Sequence, residues 1–201
     1  MLRLWLGLGN DDPKYLATRH NVGWMALDAI AHHFRTPFQK KKFAYLSETD
    51  GIALIKLQGY MNLSGEGLSQ FLNYTHQDIA EVLVLYDDID FSLGTLRLKF
   101  NGGDGGHNGM ASIIETFGTK EIWRLRIGIR GEMPSYQSKE HKSQFVLKYL
   151  LSAFHPNEIT QLTEVFQSIC PHVQLIAQNP KQAMNIINRP KKEPKKKNLS
   201  S

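Results

Sequence analysis

Cysteine is almost missing from this 201-residue chain: Cys170 stands alone. A single cysteine excludes an intrachain disulfide and any cysteine-based zinc site, which fits a reducing cytosol and leads us to expect a cytoplasmic protein. Long apolar runs are missing too. The apolar start, Met1 to Gly9, is too short for a secretion signal and lacks its small-residue cleavage site. Nowhere do the roughly 18 apolar residues of a membrane helix follow one another. There is no internal repeat, and the length and composition suit one globular domain that folds without staples.

Charge is present but uneven. The formal net charge is +5, yet six of the 24 basic residues and one of the 19 acidic ones fall between Arg189 and Lys197, leaving 18 of each elsewhere. The body is therefore neutral, and the high isoelectric point describes a cationic tail. With two prolines and no apolar face, residues 189–201 are expected to be disordered when free, leaving 1–188 as the folded domain.

Hydrophobic spacing divides that domain. Leu2 to Leu8 reads as a buried strand, followed by a polar loop from Asp11 to Asn21. Trp24, Leu27, Ala31 and Phe34 predict a helix over 22–34 with Asn21 as its N-cap. Asp50-Gly51 splits 43–57 into a hairpin. Ser64 is expected to cap a helix bearing Leu68, Phe71 and Leu72. The run Val82 to Tyr86, stopped by Asp87-Asp88, predicts a short central strand covered on both faces. Leu96, Leu98 and Phe100 alternate with Thr95, Arg97 and Lys99, so one face of that strand is expected to be solvated. Residues 108–117 read as helix and 123–129 as strand. The polar stretch 131–143 reads as a mobile loop and candidate lid, and 156–178 as one long helix kinked at Pro171. Strands alternating with helices predict an α/β fold: one domain with a central, mixed, twisted sheet flanked by helices.

Polar residues gather where these strands and turns end: Gly7-Leu8-Gly9-Asn10, Thr18-Arg19-His20-Asn21, Met61-Asn62-Leu63-Ser64-Gly65, Asp87-Asp88-Ile89-Asp90 and the glycine loop 101–109. Ligands of α/β sheets bind outside the carboxyl ends of strands, and Asn10 and Asp87 both follow strand-like runs directly. Gly7-x-Gly9 is not a dinucleotide fingerprint, because Asp12 occupies the third glycine position, and the 102–109 loop lacks the Lys-Ser/Thr ending of a P-loop. No cofactor is expected. Glycines ahead of a helix still let backbone amides reach a ligand.

His20 sits among polar neighbours between the first strand and helix, whereas His32, His33, His76, His141, His155 and His172 read as ordinary surface or core residues. No histidine pair has the helical spacing with acids that zinc requires, so no metal is expected. A triad of Ser64, His20 and Asp87 is conceivable, but Leu63-Ser64-Gly65 lacks the elbow that exposes a nucleophilic serine. Without a side-chain nucleophile, His20 points to activation of water.

These segments, together and in this order, resemble bacterial-type peptidyl-tRNA hydrolase. The resemblance runs from Leu2 to about Ala183 and is clearest in Tyr15-x-x-Thr18-Arg19-His20-Asn21, Met61-Asn62-Leu63-Ser64-Gly65 and Gly105-Gly106-His107-Asn108-Gly109. It implies hydrolysis of the ester joining a peptide to the 3′ end of tRNA, by a monomer with peptidyl-tRNA as partner. It implies His20 as base, Asp87 as its orienting partner and Asn10 in the catalytic set. Asn62 and Asn108 would bind substrate, with Tyr15, Met61 and His107 beside them, and Arg97, Lys99 and Arg126 would hold the tRNA. Arg97 and Lys99 share one face of an alternating strand and can grip one phosphate. The chain departs from the family at one turn: Asn-Pro-Gly usually follows the first strand, and here Asp11-Asp12-Pro13 follows Asn10. A second reading stays open, an RNA-binding module that has kept the fold and lost the reaction. Intact His20, Asp87, Asn10, Asn62 and Asn108 argue for turnover.

Overall fold

The computed structural model describes residues 1–132 and 138–189. Seven strands form one sheet: β1 (Leu4–Gly7), β2 (Gln39–Lys40), β3 (Ala44–Thr49), β4 (Ile52–Leu57), β5 (Val82–Ser92), β6 (Leu96–Phe100) and β7 (Trp123–Arg130), in the order β2-β3-β4-β1-β5-β7-β6. The four central strands β4, β1, β5 and β7 run parallel, and β2, β3 and β6 pair antiparallel. The sheet is mixed, as the hairpin predicts. Asp50 and Gly51 both take positive φ at its tip, the conformation a tight two-residue turn requires.

The helices are α1 (Val22–Phe34), α2 (Ser64–Thr75), α3 (Asn108–Phe117), α4 (Lys139–Leu150), α5 (Pro156–Gln167), α6 (Val173–Gln178) and α7 (Pro180–Ile187). Side-chain alternation sends β4, β1 and β5 into two cores. Trp5, Leu83, Leu85, Leu125 and Ile127 pack under α1, α5 and α6. Leu4, Leu6, Val84 and Tyr86 pack under α2 and α3. The second core stops at β5, and the same face of β7 and β6 carries polar residues instead.

Several expectations change. Asp87-Asp88 does not end β5, which continues to Ser92 with a break in register after Asp88, because both acids are compensated by distant groups. Ser64 begins α2 instead of capping it: Leu63 holds the cap position, and the Ser64 hydroxyl donates to Met61 O at 2.7 Å. Asn21 occupies the α1 cap position but makes no capping bond. The stretch read as a loop over 131–143 is helical from Lys139, with Ser138 accepting from the His141 N–H at 3.2 Å; residues 133–137 lie outside the described residues. The long helix over 156–178 is cut in two, since Pro171 lies in a 3-10 turn between α5 and α6. Helix α7 lies against β6. There the Asn188 side chain accepts from Leu98 N at 2.7 Å and donates to Leu98 O at 2.9 Å, as a paired strand residue would. The tail beyond Arg189 lies outside the described residues.

Candidate active site

Strand β1 ends beside parallel β5, with Gly7 opposite Leu85 and the Leu8 N–H donating to Leu85 O at 2.9 Å, and β5 runs on past it through Asp87. Asn10, three residues past β1, is buried and held three ways. Its N–H donates to Asn21 Oδ1 at 2.9 Å, its carbonyl accepts from Asn21 Nδ2 at 3.0 Å, and its Oδ1 accepts the Met61 N–H at 2.8 Å. Asn21 therefore spends its amide on Asn10 and not on α1. With Oδ1 committed, Asn10 keeps Nδ2 to donate to a ligand.

The departure at Asp11-Asp12 explains itself here. The Asp11 N–H donates to Gly59 O at 2.8 Å, and its carboxylate accepts the Tyr45 hydroxyl at 3.1 Å. Asp12 accepts from the Lys14 N–H at 3.1 Å and caps the 3-10 turn Pro13–Tyr15. Two side-chain bonds do the work of a Pro-Gly turn. Tyr15 then turns the chain toward His20, its carbonyl accepting the Thr18 hydroxyl at 2.7 Å.

Asp87 is the buried centre of the site. Its Oδ1 lies 2.9 Å from His20 Nδ1 and 2.9 Å from His107 Nε2. An ionised carboxylate only accepts, so both nitrogens donate to it. His107 caps α3, its Nδ1 accepting the Met110 N–H at 3.2 Å, so both of its nitrogens are engaged. His20 is different. Its Nε2 has no hydrogen bond among the described residues and keeps a lone pair free. Burial alone would raise the Asp87 carboxyl, but the two histidines overcome it and hold the group well below the usual carboxylate range. Burial alone would lower His20, and the Asp87 charge and hydrogen bond win, leaving it raised.

His20, Asp87 and His107 are also the one group of possible metal ligands among the described residues, their donor atoms lying within 4.8 Å of one another. Chain spacing concealed this group, since its members come from three separate elements. The described contacts are hydrogen bonds onto a single oxygen.

Met61 is buried, while Asn62 and Asn108 are exposed, with no hydrogen bond on either amide among the described residues. They stand on the turn before α2 and on the first residue of α3. Gly109 lets these two elements close up: a Cβ there would sit 2.7 Å from Met61 Sδ and 2.9 Å from Leu8 Cδ1.

A cavity of about 520 Å³ opens from Asp87 and His107 across the glycine loop to the polar face of β6 and β7. Register pairs Arg97 with Arg126 and Lys99 with Arg124, so four cations share that face. They are not equivalent. Lys99, Arg124 and Arg126 line the cavity, whereas Arg97 donates to Asn188 O at 2.8 Å and turns toward the end of α7. Arg126 pairs with Asp88. Arg124, not singled out from the sequence, is buried and donates to Gly103 O at 2.8 Å, fixing the glycine loop; the alternation over 123–129 was the signal that could have found it. Register and side-chain direction thus place Lys99 with Arg124 and Arg126 at the cavity, and Arg97 at the end of α7.

Known proteins share this architecture. A family model described as peptidyl-tRNA hydrolase matches residues 4–197. A peptidyl-tRNA hydrolase of Trichodesmium erythraeum is 37% identical over 194 residues, 92% of this chain and 88% of its own length. That of Desulfitobacterium hafniense is 34% identical over 193 residues, 94% of this chain and 100% of its own. The crystal structure of peptidyl-tRNA hydrolase from Acinetobacter baumannii superposes with a TM-score of 0.82 at 29% identity, covering 94% of this chain and 96% of that one.

Proposed function

The chain belongs to the peptidyl-tRNA hydrolase family, hydrolases acting on ester bonds, and on that premise we propose that it cleaves peptidyl-tRNA with water activated by His20. One observation carries the mechanism: His20 Nε2 is the only nitrogen of the two histidines on Asp87 left without a partner among the described residues. Asp87 fixes the tautomer that places a lone pair there and stabilises the imidazolium when it forms. His20 Nε2 takes a proton from water as the water oxygen attacks the ester carbonyl. The tetrahedral oxyanion accepts from amide donors, with Asn10 Nδ2 held ready. Collapse breaks the bond to the ribose oxygen, which receives the proton from His20. The products are a free peptide and a tRNA with its terminal hydroxyl restored. General-base catalysis of this kind contributes about 10²–10⁴-fold.

Asn62 and Asn108, both exposed, suit the backbone amides of a peptide of any sequence. Lys99 and Arg126 suit a tRNA phosphate drawn into the cavity, with Arg124 holding the glycine loop behind them. Helix α4 carries Val146 and Leu150 along the cavity wall, which supports a covering role for this helix. No helix among the described residues is long and apolar enough to cross a membrane, and a buried free thiol at Cys170 suits the cytoplasm, where translation runs.

Release of tRNA from N-acetylaminoacyl-tRNA tests the reading. His20→Ala is expected to abolish release while tRNA binding persists. Near wild-type cleavage by that variant places the base elsewhere, and binding without release by the unaltered chain makes it an RNA-binding module.

A further inference from the structure

Arg19 precedes His20 in the chain and is as deeply buried, at 3% exposure. Its guanidinium lies between two aromatic rings, 4.3 Å from the Tyr149 centroid and 4.6 Å from that of Phe154. Nη2 donates to Glu158 Oε2 at 2.8 Å, while Nε and Nη1 are buried with no partner among the described residues. The same Glu158 oxygen accepts the His155 N–H at 2.8 Å at the start of α5. The backbone is gripped as well: Arg19 N–H donates to Ser152 O at 3.0 Å, and Thr18 forms an isolated bridge with Ala153. Tyr149 is itself fixed, its hydroxyl donating to Ile129 O and accepting from Gly131 N–H, both at 2.8 Å.

This arrangement is a poor way to gain stability. A buried ion pair with one good hydrogen bond and two idle donors is generally worth no more than an apolar side chain of equal volume. What it supplies is location. A planar group pressed between two rings and tied at one corner has little freedom, and the next residue along the chain inherits that restriction. We propose that Arg19 is a positioning residue for His20, with Glu158, Tyr149 and Phe154 as the clamp that sets the 3-10 turn Arg19–Asn21 so that His20 Nδ1 meets Asp87. Through Tyr149 and Glu158 the placement of the base depends on how the end of α4 and the start of α5 are seated. The charged and titratable groups around His20 are then Asp87 from β5, His107 from the cap of α3, and Arg19 with Glu158 behind it. The inference rests on the reading of His20 as the base.

The test compares Arg19→Met, Arg19→Lys and Glu158→Gln in the full chain, by thermal unfolding, by steady-state release from N-acetylaminoacyl-tRNA, and by NMR titration of the His20 ring. Arg19→Met fills the space without charge. It is expected to unfold at or above the wild-type temperature, to lower kcat by about 10²-fold, the scale of an ångström's misplacement, and to keep KM within twofold. Its His20 ring is expected to titrate at lower pH than in the wild type, because the Asp87 hydrogen bond loosens. Arg19→Lys, able to reach Glu158, restores most of kcat, and Glu158→Gln falls between. An unchanged His20 titration in Arg19→Met overturns the proposal, as does a fall in kcat that only tracks a lower unfolding temperature. If His20→Ala still turns over, the base assignment fails by itself, and the ring titration still decides whether Arg19 places His20.

Discussion

Asp87 serves two histidines with one oxygen, and the roles of the two rings follow from what their other nitrogens do. His107 spends its Nδ1 on the cap of α3 and braces Asp87; His20 keeps Nε2 without a partner among the described residues. The pH dependence follows. With His20 raised above its ordinary 6.5, the acid limb of kcat/KM is expected above that pH, measured as the midpoint of a rate profile for tRNA release; a limb well below it would contradict the Asp87 hydrogen bond. Stability carries the same signs. A raised His20 contributes stability that is fully present below its unfolded value and lost as pH rises through the folded one. A depressed Asp87 contributes stability present above its ordinary 3.8 and lost as pH falls toward its lower folded value. Unfolding temperature followed from pH 8 to pH 3 is expected to be highest between these limits and to fall on the acid side.

Helix α3 is where an element, and not a residue, shapes the site. Its cap, His107, meets Asp87, its first residue is the exposed Asn108, and Gly109 admits Met61 and Leu8 beside it. Gly109→Ala forces a Cβ into that close approach, so a destabilisation of about 1–3 kcal/mol is expected, with a drop in kcat as Met61 shifts and moves the N–H donor that fixes Asn10. A calorimetric scan beside the release assay reads both; wild-type values in both remove the close approach as a constraint. Elements also show what was legible beforehand. Asn10, His20, Asn62 and Asn108 stood out because each lies in a short polar segment at the end of a strand or the start of a helix. The bonds that fix them did not, because Arg19 and Glu158 are 139 residues apart, and His20 and Asp87 67. The same distance explains the misread end of β5. Local sequence presents two adjacent acids as a stop, and only the folded chain brings Arg126 and the histidines to compensate them.

On the scale of the molecule, charge and fold are arranged separately. The body is neutral overall, yet Arg97, Lys99, Arg124 and Arg126 share one sheet face. The excess charge lies in the segment that follows α7, which Asn188 ties to β6 beside that face. Removing residues 190–201 is therefore expected to weaken tRNA binding at low salt and to flatten its dependence on salt, by about 0.7–0.9 in logarithmic slope for each phosphate that the tail no longer neutralises. The unfolding temperature is expected to stay as it is. An unchanged slope in filter binding across salt concentrations leaves the tail without that role.

The pairing of Asn188 with Leu98 has another consequence. Strand β6 is the outer strand of a seven-stranded sheet, and an outer strand offers backbone groups to any extended chain that meets it. The Asn188 amide occupies both groups of Leu98, at the middle of the five-residue strand. One side chain thereby takes the backbone groups at the middle of this edge that an extended chain of another molecule would need, which disfavours growth of the sheet from molecule to molecule.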